Sequence, residues 1–80
     1  MYKDYVAKGK ETVIESFPLT DKSEIRVKRI EDEEGNLSGV DIRQWYYTQK
    51  DPMFKAGKGI RIKAELAESI ARAIQQAVQQ

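Results

Sequence analysis

Val40-Asp41-Ile42-Arg43-Gln44-Trp45-Tyr46-Tyr47, followed by Lys55-Ala56-Gly57-Lys58-Gly59-Ile60-Arg61-Ile62, alternates apolar with polar side chains in both stretches. A period of two belongs to strands that bury one face only. With Val40 and Ile42 turned to a core, Asp41, Arg43, Trp45 and Tyr47 turn away from it. With Ile60 and Ile62 inward, Arg61 and Lys63 turn out. The outer face of this pair gathers arginine, lysine and large aromatics. Tyr46 falls on the core side of a straight strand and reaches the outer face only through a twist or a bulge.

Upstream, the same alternation runs from Glu24, with Ile25 and Val27 on one face and Glu24, Arg26 and Lys28 on the other. Arg29-Ile30 breaks the parity, which points to a bulge or a strand end. Glu31-Asp32-Glu33-Glu34, then Gly35-Asn36 and Ser38-Gly39, read as a hairpin loop. Val13-Ile14 and Phe17-Pro18-Leu19 supply a short strand or docked segment, kept off the middle of a sheet by Pro18. Residues 1–12 are polar, without period, and read as a flexible arm; residues 13–80 read as one domain.

Downstream the period changes. Leu66, Ile70, Ile74 and Val78 recur every four residues with alanines beside them, an amphipathic helix from about Ala64 to Gln79. The stripe reads first as core, and its alanine flank would admit a second helix at close range. Glu65 and Glu68 suit the helix's positive end, and Glu68 with Arg72 makes an i,i+4 pair; no Ser, Thr, Asp or Asn stands at the expected N-cap. The expected fold is α+β, a curved antiparallel four-stranded sheet with one C-terminal helix, dimerising through the helix side. One helix covers one face, so the other is left for solvent, a partner or a ligand.

With 80 residues the chain has room for a single two-layer core. It has no cysteine and no histidine, which removes disulfides, thiolate zinc sites, thiol nucleophiles and the usual general base near neutral pH. No catalytic residue, metal site or cofactor is expected, and the glycines around Lys58 lack the spacing of a phosphate-binding Walker loop. No apolar run nears the length of a membrane span and the N-terminus lacks a signal peptide's apolar stretch, so an intracellular soluble protein is expected.

Net charge is +1, but it is unevenly spread. Residues 24–34 hold three basic and five acidic groups, −2; residues 35–63 hold six basic and two acidic groups, +4. A local basic region with interleaved aromatics suits single-stranded nucleic acid, whose phosphates meet cations and whose unpaired bases meet ring faces. Arg26, Lys28, Arg43, Trp45, Lys55, Lys58 and Arg61 are the candidates from this reading, and Gly57 and Gly59 would let a phosphate approach the backbone. The rival reading is a protein-interaction module, since interfaces enrich the same residue types.

Gly39-Val40-Asp41-Ile42-Arg43-Gln44-Trp45-Tyr46, a short loop with Met53, then Lys58-Gly59-Ile60-Arg61-Ile62 and a C-terminal helix resemble the positive-cofactor-four family of transcriptional coactivators. Small bacterial relatives in that family carry D-I-R-x-W and K-G-I-x-L elements in this order. The similarity runs from about Phe17 to Val78. It implies a helix-joined homodimer that binds single-stranded DNA with little sequence preference, RNA being the alternative ligand. By this resemblance Lys22, Arg29, Arg43, the pair Trp45 and Tyr46, and Lys58 would contact the strand. It also implies a role in transcription or DNA maintenance, in the cytoplasm with the nucleoid if the source is bacterial and in the nucleus if it is eukaryotic. Three positions depart from the family pattern: Arg61 stands for a small polar residue, Ala64 for a Ser or Asn cap, and the acidic run at Asp32 for a hairpin aromatic.

Overall fold

The computed structural model describes residues 9–48 and 53–80. Four strands, β1 (Lys10–Thr20), β2 (Ser23–Glu31), β3 (Leu37–Tyr46) and β4 (Lys55–Lys63), precede one helix, α1 (Ala64–Gln79). The sheet is an open antiparallel meander in the order β1-β2-β3-β4. The chain is therefore α+β, as the alternation and the change of period predict.

Local chemistry explains each connection. Between β1 and β2, Thr20 Oγ1 accepts the Lys22 amide at 3.1 Å and shares a 2.9 Å hydrogen bond with Ser23. Between β2 and β3, Asp32 Oδ1 accepts the amides of Glu34 and Asn36, each at 2.9 Å, and Gly35 supplies the positive φ of 86° that the turn needs. The acidic run is thus a folded loop organised by one of its own carboxylates. Glu31 belongs to the strand, not the loop, and pairs with Arg29 at 2.8 Å.

β1 corrects two expectations. It is an eleven-residue edge strand, not a short segment, and it begins at Lys10, inside the expected arm; the arm's residues 1–8 lie outside the described residues. A bulge between Val13 and Glu15 shifts its register, so that Glu11 and Val13 face one side and Glu15 and Phe17 the other. That break in parity hides the strand from a period-two reading. At its start Gly9 has φ 148° and passes so close to Glu31 that any Cβ would overlap the Glu31 carbonyl.

β2 keeps its parity through Ile30, against the expected break at Arg29-Ile30; the register shifts only between Ile30 and Glu31. One face of the sheet presents Val27, Val40, Ile42 and Ile62 toward the helix residues Ala67, Ile70 and Ile74, across an open apolar groove of about 570 Å³. The helix starts without a side-chain cap, and Glu68 and Arg72 approach at 3.9 Å. No helix residue is buried: Ile74 is 53% and Val78 79% exposed. The stripe read as core is therefore open in the single chain. Among the described residues Ile30 and Ile62 are the only large apolar side chains that are buried. No helix of the described residues is long and apolar enough to cross a membrane.

Candidate nucleic-acid interface

Register decides which candidates share a face, because directly opposed residues of paired strands point the same way. Lys28 stands opposite Asp41, and Asp41 opposite Arg61; one row along, Arg26 stands opposite Arg43, and Arg43 opposite Gly59. Trp45 follows in the next row, opposite Glu24. Arg26, Lys28, Arg43, Trp45 and Arg61 are thereby gathered on the face away from the helix.

That face is concave. Arg61 Nη2 of β4 reaches Glu11 Oε2 of β1 at 3.0 Å, across the two intervening strands. Strands spaced ~4.8 Å apart would hold the backbones of β1 and β4 about 14 Å apart in a flat sheet, so the contact needs curl toward this side. Gly39, buried beside Ile30, leaves the path clear.

The cations are not bare. Asp41, only 1% exposed, accepts from Arg43 Nη2 at 2.8 Å and Nε at 2.9 Å, and from Arg61 Nε at 3.2 Å. Arg43 Nη1 also donates to the Gly57 carbonyl at 3.0 Å. Lys28 Nζ lies 3.3 Å from Glu11 Oε1, and Arg26 pairs with Glu24. Four cations thus face three carboxylates.

Trp45 is the hub of the aromatic part. The Arg26 guanidinium lies 4.6 Å and the Lys28 ammonium 4.3 Å from its ring centroid, both within cation–π range. Arg26 also lies 5.0 Å from the Phe54 centroid, and Phe54 meets Tyr47 edge-on at 5.3 Å. The Trp45 Nε1 is buried and has no hydrogen-bond partner among the described residues.

The chain matches no family model, no curated protein and no solved structure.

Five of the ten candidates therefore come together on this face, Arg29, Tyr46 and Lys55 fall on the other, and Lys22 and Lys58 lie in a turn and an irregular stretch. Arg29 is opposite Val40 and so lies on the helix side, paired with Glu31. Tyr46 keeps the core-side parity of a straight strand, since β2 and β3 pair without a shift there, and its ring packs on Gly57. Lys55 opposes Tyr46 and shares its side. Lys22 occupies the β1–β2 turn, where its carbonyl accepts the Tyr47 amide at 3.1 Å. Lys58 is exposed within the irregularity that shifts β3–β4 register between Arg43 and Trp45.

Gly57 and Gly59 also have a packing role. A Cβ on Gly59 would overlap Arg43 Cβ and stand 2.5 Å from the Ile42 carbonyl oxygen; one on Gly57 would meet the Tyr46 ring at 3.2 Å. The glycines let β4 close against β3, where a side chain at either position would clash. Sequence reasoning missed Glu11 and Phe54. The first depends on a bulge and on sheet curl, and the second sits in a loop without period. Asp41–Arg43, two residues apart on one strand, was visible as a pair; its burial and its second arginine were not.

Proposed function

We propose that this chain binds single-stranded DNA or RNA on the concave face, as a homodimer paired across the apolar groove. The observation that carries the reading is the collection of Arg26, Lys28, Arg43 and Arg61 around Trp45, Phe54 and Tyr47 on a curled sheet. Cations beside ring faces, on a concave surface, suit a splayed strand better than a stiff duplex. The resemblance of β3 and β4 to the positive-cofactor-four family supports the same ligand, and a role in transcription or DNA maintenance belongs to this proposal.

Trp45 takes a role different from an open stacking platform. Its ring already carries two cations, so it orients them as a pair, and a base stacks there only by displacing one. Phe54, 37% exposed and under one cation instead of two, offers the more open ring surface. The exposed helix stripe and the groove favour a second copy as the covering partner, because Leu66, Ile74 and Val78 continue the groove's apolar lining and stay more than half exposed.

Gel shifts with oligo-dT, an RNA of equal length and a duplex test the reading. Single strands should bind more tightly than the duplex, with a log–log salt slope near −0.7 per phosphate neutralised. The emission of Trp45 should change in step with binding, as the cations leave its ring for phosphates. Equal affinity for duplex, or binding indifferent to salt, counts against the proposal and leaves the protein-interaction reading.

A further inference from the structure

Glu11 holds two cations at once. Its Oε1 lies 3.3 Å from Lys28 Nζ and its Oε2 3.0 Å from Arg61 Nη2. One carboxylate on β1 thus joins a lysine of β2 to an arginine of β4, one oxygen to each. Two oxygens of a single anion shared between an ammonium and a guanidinium are also what a phosphodiester presents through its non-bridging oxygens.

We propose that Lys28 and Arg61 form a backbone-phosphate subsite which Glu11 fills in the free protein, and that a nucleic-acid strand enters by displacing this carboxylate. The inference rests on the single-strand reading above. Among the described residues, Arg61 is shared by two acids of different standing. Its Nε points to Asp41, a side chain almost wholly buried, and its Nη2 to Glu11, whose side chain is 37% exposed. Asp41 fixes the guanidinium plane from beneath. Glu11 stands on an edge strand with access to water, where losing an ion pair is a small penalty. Arg61 therefore keeps its orientation when Glu11 leaves, and the vacated place lies beside the Lys28 ammonium that rests on Trp45. β1 acts as a strap whose carboxylate holds the site against weak anions and yields to a polyanion.

Glu11→Gln keeps shape and removes the charge. Glu15→Gln is the control: it removes the same charge from the same strand, but on the opposite face, across from Val27. Oligo-dT affinity is measured over a salt series for the full chain, with far-UV spectra confirming the fold. Glu11→Gln should bind roughly three- to ten-fold more tightly at low salt, the worth of two exposed ion pairs. Its salt slope should steepen by about 0.7, one additional phosphate, while Glu15→Gln stays within about twofold of the parent. Adding Lys28→Gln to Glu11→Gln should erase the gain. If the parent binds and Glu11→Gln matches Glu15→Gln, or if the gain survives Lys28→Gln, the subsite is overturned while single-strand binding stands. If no form of the protein binds oligo-dT, both proposals fall.

Discussion

A methyl group at position 59 has nowhere to go. The Arg43 side chain and the Ile42 carbonyl already fill the space, so β4 must move away from β3 to admit it. Gly59→Ala should lower stability by about 1–3 kcal/mol, as overpacking in a tight site does, read as a lower urea midpoint with an unchanged slope. Asp41 is the second residue on which the face depends, for it lies buried between two guanidiniums. Asp41→Asn should cost about 2–3 kcal/mol, toward the lower end for breaking a buried pair because both arginines retain some contact with water. The same variant should weaken oligo-dT binding, since Arg43 and Arg61 lose their common anchor. The Arg43–Asp41 pair is legible in the sequence, because residues two apart on a strand share a face. Glu11–Arg61 is not, since fifty positions separate its partners and only a bulge and a curl bring them together.

At the scale of elements, β2, β3, β4 and α1 follow from their periods, and the helix bounds agree with the residues that set them. β1 does not, because Val13, Ile14, Phe17 and Leu19 are all about half exposed and its alternation is interrupted. Nor does periodicity tell whether an apolar stripe meets its own sheet or another molecule. Here the helix leans on the sheet through its first turns and leaves Ile74 and Val78 open. The proposed pairing across the groove makes a prediction on this point. Ile74→Glu should turn a homodimer into a monomer by light scattering at micromolar concentration, while the far-UV spectrum of the sheet is largely kept. A parent chain that is already monomeric at high concentration would sink the helix-side pairing.

For the whole molecule, a radius of gyration of 14.1 Å exceeds the ~12 Å of a compact chain of this length. Together with only two buried apolar side chains among the described residues, this marks an open structure without a closed core. If a second copy completes it, folding and association are linked, and the melting temperature must rise with protein concentration. Calorimetry across a hundredfold range of concentration checks this; a constant melting temperature would separate stability from pairing.

The meander itself has a kinetic consequence. Each strand pairs with its neighbour in the chain, through a tight turn and then a short loop, so the sheet closes by local steps. Contacts of short sequence separation form early and fast. The helix comes last, and its apolar side has little of its own chain to settle on. If a second copy covers that side, as proposed, refolding should split into two phases: a rapid one, indifferent to dilution, in which the strands assemble, and a slower one whose rate scales with the number of chains in the tube.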